Sequence, residues 1–425
     1  MIWIFLSLLS FLTGVFLINF LTVHPSRMHF FLSGVWICIL GGMAILIQPP
    51  VLNLVGLGIA LWVGFFLVGY TLQTRIFLSR QDTRPVPELT RQKGEAGDGH
   101  TAVIYFTHGE PETYDPIGWL NQFREFDEQK IPFIPLLARP FFVYQLRKKY
   151  LQVGMSRHRQ MHQRMVKSLE RALRLDGDIA TRFYLCFLDD YPRPDAAVIQ
   201  ALNEGASRII VAEVFVSVSN HTLEGKHLID ALELKEYGIP IDYTGPLWDS
   251  QELHRLFLQR ANDNLGGIDK SRVGVLLVGH GQPDEWDREY ATETEHEIQF
   301  RRSIMDLLAS DGYCLENLGL AWMEFKKPKP ANIIEQFIQN GVEKILYFSA
   351  AISADSIHSQ CDIPELVHRA RRPQGFALVN LGAWNDDPQV IRAIKSKIMA
   401  VAVDQKVAWE NQALLDEMVE TESDP

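Results

Sequence analysis

VGVLLVGHGQPDEWDREY, from Val273 to Tyr290, joins a continuous apolar run to a sharp turn at Gly279-His280-Gly281. Such a run is typical of a buried parallel strand, and ligands in open α/β sheets bind outside the carboxyl ends of the strands. His280 is therefore predicted to stand at the mouth of a cleft. The stretch AVIYFTHGEP, from Ala102 to Pro111, repeats the design with His108 in the corresponding place. Two such turns in one chain indicate an internal duplication.

On both sides of these turns, short apolar runs alternate with longer amphipathic runs, which is typical of parallel sheets covered by helices. Strands are predicted at 102–106, 183–187, 208–216 and 239–244, and again at 273–278, 317–322, 344–349 and 376–381. Helices are predicted at 155–173, 193–204, 293–309, 331–340 and 363–371. The order is the same in both parts, so we expect an α/β fold of two similar Rossmann-like halves with parallel sheets.

A second histidine follows the third predicted strand of each half, at His221 and His358. First and third strands that are neighbours in a doubly wound sheet would bring His108 close to His221, and His280 close to His358. The sequence leaves open whether the first pair forms a second site or only reflects the duplication.

The N-terminal region is of a different kind, because it contains three nearly charge-free runs. They are Ile2–Val23, Phe30–Gln48 and Val51–Leu72. Each is close to the ~20 residues that a helix needs to cross ~30 Å of hydrocarbon. A cleaved signal peptide would explain only the first run, and Met1-Ile2-Trp3 lacks the basic segment that such a peptide requires. We therefore expect three transmembrane helices.

Positive charges give the expected orientation of these helices. Arg27 follows the first run, Pro49-Pro50 form an uncharged hairpin, and a basic cluster follows the third run at Arg75, Arg80, Arg84, Arg91 and Lys93. Arg27 and the cluster fall on the same side of a three-span topology. The protein is thus expected to be a multi-pass membrane protein whose larger part is cytoplasmic.

The expected domain organisation follows from these patterns. It consists of a three-helix transmembrane region at 1–78, a linker at 79–100, an N-terminal half at 101–250, a C-terminal half at 271–402 and an acidic tail at 403–425. The net charge of −11, without a Lys/Arg-rich stripe, argues against nucleic acid as a partner. The four cysteines are scattered and form no CxxC pair, which argues against a disulfide framework or a structural zinc site.

His280 and His358 are the strongest candidates for chemistry. Imidazole is the commonest metal ligand and titrates near neutral pH, so the pair could hold a divalent first-row metal or accept protons. Asp355 and Asp362 lie close in sequence and could orient the rings or carry protons away.

Two charged segments are more ambiguous. The acids between Asp284 and Glu297 are interpreted as the solvated start of a helix. Arg157, His158, Arg159 and His162 could form an exposed helix face or a basic cluster that receives carboxylates of a ligand, and the sequence does not decide between these.

The segment from about Thr101 to Ala402 resembles ferrochelatase, the enzyme that inserts iron(II) into a porphyrin in haem synthesis. Four stretches carry the resemblance in the family's order: THGEPETYDPIGWLNQF from Thr107, YLQVGMSRHRQ from Tyr150, VGHGQPDEWDREY from Val278, and LAWMEFKKPKPANIIEQF from Leu320, which SAAISADSIHSQCDI from Ser349 follows.

The resemblance implies that His280 is the catalytic histidine and that Asp355 and Asp362 match acids of the family's acidic motif. His358 stands where the family has a glutamate. A pair of histidines is similar instead to the sirohydrochlorin chelatases, which share the fold and act on cobalt, nickel or iron substrates. A non-catalytic tetrapyrrole or metal sensor is a further alternative.

We therefore expect a membrane-anchored metal chelatase, a lyase, that takes iron(II) as its substrate metal and needs no organic cofactor. His280 and His358 would contact the metal, and the residues expected to bind substrate are Trp322, Arg157, His108 and Tyr150. Trp119 and Phe106 could pack against the macrocycle or belong to the core. The expected partners are porphyrin, a divalent metal and membrane lipid, with membrane-associated enzymes of haem synthesis as candidates.

Overall fold

A computed structural model describes residues 1–48, 54–82, 85–131, 134–288 and 290–402. The predicted hairpin at Pro49-Pro50, the basic residue Arg84 and the acidic tail at 403–425 lie outside the described residues. Packing divides the chain into two compact units. The first contains Met1–Arg84 and Glu112–Met155, and the second contains Pro85–Pro111 and Ser156–Pro425.

The described residues of the first unit include three apolar helices, which are α1 (Ile2–Thr22), α2 (Met28–Leu46) and α3 (Val55–Leu78). All three are long and apolar enough to cross a membrane. The prediction of three apolar helices is thus confirmed, although α3 continues beyond the predicted end at Leu72.

Helices α1 and α3 pack with their backbones in close approach. A Cβ on Gly14 would lie 2.4 Å from the carbonyl oxygen of Phe66, and a Cβ on Gly69 would lie 2.1 Å from that of Phe11. Small residues at such crossings allow the tight packing on which apolar helices depend for association in a membrane.

Two further helices, α4 (Ile117–Glu128) and α5 (Arg139–Val153), belong to the same unit. The guanidinium of Arg147 donates to the carbonyl oxygens of Phe20 at 2.5 Å and Val23 at 3.0 Å. The hydroxyl of Tyr114 donates to the carbonyl oxygen of Thr22 at 2.8 Å. Carbonyls at the end of a helix lack partners within it, so these side chains complete the C-terminus of α1.

The described residues of the second unit form two four-stranded parallel sheets. The first sheet is formed by β1 (Thr101–Thr107), β2 (Thr181–Phe187), β3 (Arg208–Glu213) and β4 (Ile241–Tyr243), in the order β2-β1-β3-β4. The second is formed by β5 (Val273–Gly279), β6 (Leu318–Trp322), β7 (Lys344–Ser349) and β8 (Ala377–Asn380), in the order β6-β5-β7-β8. The two orders are equivalent, which confirms the duplicated α/β fold.

Helices connect the strands. They are α6 (His158–Leu175), α7 (Pro194–Asn203), α8 (Asn220–Asp230), α9 (Gln251–Asp263), α10 (Asp284–Asp287), α11 (Ala291–Ser310), α12 (Pro330–Gln339) and α13 (Ile363–His368), with further helical residues at 388–402. A π-helical turn, His358–Asp362, precedes α13. Short 3-10 turns occur at Pro25–Arg27, Leu136–Ala138, Leu234–Tyr237, Lys270–Arg272 and Leu315–Asn317.

The core explains the apolar runs of the strands. Val103 of β1 and Val275 of β5 belong to one cluster that the two halves share. The next residues along these strands, Ile104 and Leu276, point to the opposite faces and pack in separate clusters. Because both faces of each sheet are covered, the strands read as continuous apolar runs.

Candidate active site

His280 follows the last residue of β5, as predicted. Its Nδ1 donates to the carbonyl oxygen of Gly281 at 2.8 Å, so the lone pair of the neutral ring lies on Nε2. Burial, aided by the nearby His358, lowers the pKa of His280 to about 4. The ring is therefore neutral at pH 7, and Nε2 can act as a base or a metal ligand.

The buried carboxylate of Glu297 stabilises the backbone of the turn that carries His280. Glu297 accepts the backbone N–H of His280 at 3.1 Å, and Arg301 lies 3.6 Å from the same carboxylate. The Arg301 guanidinium lies 3.9 Å from the centre of the Trp322 ring. A Cβ on Gly279 would lie 2.3 Å from the Glu297 carboxylate, so only glycine leaves room for this support.

The interpretation of the acids at Asp284–Glu297 as a solvated helix start is wrong for two of them. Glu293 and Glu297 are only 8% and 3% exposed. Burial raises the pKa of both, for Glu293 to about 8. Asp284 is 89% exposed and fits the interpretation, while Glu289 lies outside the described residues.

His358 begins the π-helical turn His358–Asp362, a type of distortion that is frequent at functional sites. The centres of its ring and the His280 ring are 5.6 Å apart, as the strand order predicts. Its Nδ1 lies 2.8 Å from the Asp362 carboxylate. Although burial opposes the charge, this bond to Asp362 raises the pKa of His358.

The two neighbouring rings thus have pKa values displaced in opposite directions. Such a pair is suited to divide acid and base roles, with His280 neutral and His358 ready to hold a proton.

Glu110, in the turn after β1, supports the site from the other half of the fold. Its carboxylate accepts the backbone N–H of Ile357, the residue before His358, at 2.9 Å. Burial raises the pKa of Glu110. Sequence reasoning missed this role, although Glu110 occupies the same place in its turn as Gln282 does after His280.

The first half also brings its two histidines together. The ring centres of His108 and His221 are 4.6 Å apart, and His221 lies 6.1 Å from the ring of Trp286. Nδ1 of His108 donates to the carbonyl oxygen of Gly109 at 3.0 Å. The neighbouring Asp189 carboxylate lies 3.5 Å from the same nitrogen.

Asp355 has a different position from Asp362. Its backbone N–H donates to Asn385 at 2.9 Å, and its carboxylate lies 3.5 Å from the Ser359 hydroxyl. In the described part of the chain no hydrogen bond joins Asp355 to His280 or His358. Its predicted catalytic role stays a prediction.

The residues predicted to bind substrate are not all gathered in one place. Trp322 is 6% exposed under Arg301, and Arg157 is the exposed N-cap of α6. Tyr150 belongs to the unit that holds the apolar helices, where it is 4% exposed. The substrate-binding roles stay predictions.

Two aromatic residues considered for the macrocycle have other neighbours. Phe106 is 1% exposed and lies against Phe215, with ring centres 4.9 Å apart, so it is a core residue. Trp119 lies 4.6 Å from the ring of Phe142 in the unit of the apolar helices.

The alternative of an exposed face at 157–162 is wrong for its histidines. His158 and His162 are 4% and 0% exposed. His162 Nδ1 lies 2.9 Å from the Tyr105 hydroxyl, and its Nε2 lies 3.2 Å from the Ser353 hydroxyl. Burial lowers the pKa of both, for His162 to about 3, so they are neutral core residues.

Each histidine pair would leave a metal ion with open positions. Within the described ranges, no group of three or more His, Cys, Asp or Glu side chains is close enough to hold a metal ion. A metal on two imidazoles keeps coordination positions for water or for nitrogens of a substrate.

A family model described as ferrochelatase matches residues 100–401. A ferrochelatase from Desulfotalea psychrophila is 20% identical over 317 residues, 71% of this chain and 98% of that protein. Among solved structures, SirB from Bacillus subtilis with Fe3+ has a TM-score of 0.46 at 13% identity, covering 72% of this chain and 97% of that one. CbiX, the terminal enzyme for siroheme biosynthesis in denitrifying bacteria, has a TM-score of 0.40 at 15% identity, covering 71% and 98%.

Proposed function

The chain belongs to the ferrochelatase family, and we propose that it is a metal chelatase, a lyase, that inserts iron(II) into a porphyrin in haem synthesis. The observation that carries the proposal is the His280–His358 pair, whose ring centres are 5.6 Å apart beyond the carboxyl ends of β5 and β7. A metal that must be released to a macrocycle needs few protein ligands, and two imidazoles meet that need.

Insertion replaces two pyrrole N–H protons with one divalent metal ion, so two protons must leave the macrocycle. Nε2 of His280 is free to accept a proton or to contact the metal first, because Nδ1 is bonded to Gly281. His280 and His358 would divide these two roles, accepting a proton and contacting the metal, from opposite sides. Asp362 stabilises the protonated form of His358 through the 2.8 Å bond. Asp355 and Asp362 would pass protons on to solvent.

Binding strain would contribute to the reaction. The macrocycle must bend before its nitrogens become accessible to the metal, and walls of a cleft can impose that strain. We propose Trp322 as a macrocycle contact, Arg157 as a partner for substrate carboxylates, and His108 as a contact on the first half.

The apolar helices fit a substrate that is poorly soluble in water. We propose that they span the membrane three times, with the basic residues after α3 and the α/β unit on the cytoplasmic side. Anchoring would keep the enzyme near membrane lipid, porphyrin dissolved there and membrane-associated enzymes of haem synthesis.

His358 favours one alternative. The ferrochelatase family resemblance places a glutamate opposite the catalytic histidine, and an imidazole there is suited to the softer cobalt(II) and nickel(II) ions as well as iron(II). A sirohydrochlorin-type chelatase is therefore the second candidate, and a tetrapyrrole sensor without insertion activity is the third.

Anaerobic insertion by the full chain in detergent separates these candidates. Iron(II), cobalt(II) and nickel(II) are each offered with protoporphyrin, coproporphyrin and sirohydrochlorin, and absorbance is followed. The proposal expects the highest rate for iron(II) with a porphyrin. Activity confined to sirohydrochlorin would establish the second candidate, and tetrapyrrole binding without insertion of any metal would establish the sensor.

A further inference from the structure

A groove of about 360 Å³ lies along the outer edge of β2, the strand at one end of the first sheet. The residues that line it belong to α6, β2 and the end of α7, and they are Glu170, Arg174, 181–185, Gln200 and Glu204. The two helices lie on opposite faces of the sheet, since α6 packs on the side of Val103 and α7 packs on the side of Ile104. The groove therefore exposes the edge of the sheet between two helical walls.

The backbone of β2 has hydrogen-bonding groups that face this groove. At the two ends of the strand, the N–H groups of Thr181 and Phe187 donate to a loop carboxylate at 3.0 Å and a loop carbonyl oxygen at 2.8 Å. Every second N–H group of an extended strand points to the same side, so those of Phe183 and Leu185 also point away from β1. Within the described ranges, neither of these two N–H groups has a partner outside the sheet. Such an edge is a template for a further strand.

The surroundings of β2 differ from those of β6, which takes the same place in the second sheet. Leu318 and Trp322 of β6 are buried. In the segment that leads from α6 into β2, by contrast, Leu175 and Ile179 are 82% and 87% exposed. Two large apolar side chains beside an open strand edge favour a surface that another chain covers.

We propose that a second copy of this chain binds at the groove, with the β2 strands of the two copies paired antiparallel about a twofold axis. This pairing would join the two first sheets into one sheet of eight strands. Neighbouring strands lie about 4.8 Å apart, and packed helices lie about 8–10 Å apart. Because α6 packs over β1 and β2, a further strand at this edge brings the α6 helices of the two copies into packing distance.

The charges on α6 complement themselves under this symmetry. Across a twofold axis, when residue i of one copy meets residue j of the other, j also meets i. Glu170 and Arg174 are one turn apart on the same face of α6, so an antiparallel α6 helix places Glu170 of each copy opposite Arg174 of the other. The ion pairs that α6 forms in the described part of the chain involve Arg159 and Arg164, which leaves Glu170 and Arg174 available for two reciprocal pairs.

The other wall of the groove fits the same symmetry. Nε2 of Gln200 donates to the carboxylate of Glu204 at 2.8 Å within one copy. Across the axis each Gln200 amide would face Glu204 of the other copy, so neither wall places two like charges directly opposite each other. Walls that complement themselves favour a second copy over an unrelated strand, and this inference does not depend on the proposed function.

The molar mass of the full chain in detergent tests the inference. Light scattering during size-exclusion chromatography, with the mass of the detergent subtracted, should give a dimer for the wild type. R174E and E170R each place like charges opposite each other and should weaken the dimer by about 10-fold. E170R/R174E exchanges the two charges and should restore the wild-type affinity. R255E reverses an exposed charge on α9, away from the groove, and should stay dimeric.

A monomeric wild type would overturn the inference and leave the groove to another occupant, either a strand of a different protein or the acidic tail. That measurement needs no variant to fold. A dimer that R174E and E170R weaken no more than R255E does would also overturn it, because the copies would then associate elsewhere. Failure of E170R/R174E to restore the dimer, with thermal unfolding equal to that of the wild type, would exclude the reciprocal pairs.

Discussion

At the scale of single residues, the hydrogen bonds of two imidazole rings determine what the site can do. Nδ1 of His280 donates a hydrogen bond to the carbonyl oxygen of Gly281, and Nδ1 of His358 donates one to the Asp362 carboxylate. A carbonyl leaves a ring neutral, whereas a carboxylate stabilises a charged one. The same residue type could therefore supply a neutral ring on one side and a protonated ring on the other, as the proposed function requires.

His358→Ala should lower the rate of metal insertion by about 10²- to 10³-fold, because a positioned proton acceptor contributes about that much. Asp362→Asn should lower it by about 10- to 100-fold, since the imidazole keeps its place but loses its charged partner. His358→Glu, which restores the residue implied by the family resemblance, should be more active than His358→Ala. Wild-type rates for His358→Ala and Asp362→Asn, measured by absorbance with iron(II) and porphyrin, would exclude a role for His358 in proton transfer.

Glu297 and Arg301 form a buried ion pair beneath the His280 turn. Glu297→Gln should destabilise the protein by about 3–5 kcal/mol, because it leaves the Arg301 charge buried without its partner. Replacing both residues, with Glu297→Gln and Arg301→Met, should cost less than the sum of the single changes. Thermal unfolding of the four proteins in one detergent measures this, and additive losses would show that the two side chains do not interact.

Part of the site could be predicted from the sequence. The sequence identifies His280 and His358 because each follows an apolar strand. The order of the strands in the sheet then determines that these two histidines lie close together. Glu110 and Glu297 were missed because a sequence gives no sign that a carboxylate will face backbone N–H groups inside the protein. Only the matching places of Glu110 and Gln282 in the two turns could have drawn attention to the first of them.

At the scale of elements, strands were easier to predict than helices. Buried parallel strands are apolar on both faces, so β5 and β7 read directly from composition. Helix α5 was missed because its buried face carries Arg139 and Arg147 among apolar residues, which hides the amphipathic pattern. The π-helical turn of His358–Asp362 has no periodic apolar pattern that would predict it. Glu110 accepts the N–H of Ile357 just before the turn, and Asp362 at its end lies 2.8 Å from the His358 ring.

Helix α6 makes the stability of the α/β unit sensitive to acid. Burial lowers the pKa of His162 to about 3, against about 6.5 in the unfolded chain. Below pH 6.5 the unfolded state binds a proton that the native state excludes, so stability is complete above this pH and falls as the pH drops towards 3. The expected loss from this residue is about 1.4 kcal/mol per pH unit.

Unfolding midpoints between pH 7.5 and 5.0 measure this effect. His162→Gln, which keeps a polar side chain, should lose less stability on acidification than the wild type. H227Q, which changes an exposed histidine on α8, should follow the wild type. Burial raises the pKa of Glu293 to about 8 and that of Glu213 to about 7, so these two residues add stability as the pH falls. Their contribution is the same in all three proteins and does not affect the comparison. Parallel curves for His162→Gln and the wild type would contradict the assignment.

At the scale of the whole molecule, the region that matches the ferrochelatase family model follows three apolar helices in the chain. Part of that region, Glu112–Met155, packs in the same unit as those helices.

The positive charges of the sequence predict that the α/β unit is cytoplasmic. Cys314 is partly exposed on this unit, whereas Cys38, Cys186 and Cys361 are buried. Cys314 should therefore react with a membrane-impermeant maleimide only after cells are permeabilised. Cys314→Ser controls for specificity, and labelling of intact cells would place the unit outside.

The proposed function depends above all on His280, which we expect to take part in metal insertion at a site that binds a porphyrin. Single-turnover insertion of iron(II), with the full chain in excess over protoporphyrin, tests it most directly when the wild type is compared with His280→Ala. Porphyrin binding is measured in parallel by fluorescence. We expect both proteins to bind the porphyrin, and we expect insertion in His280→Ala to fall to the rate without protein. Insertion by His280→Ala at the wild-type rate would contradict this expectation.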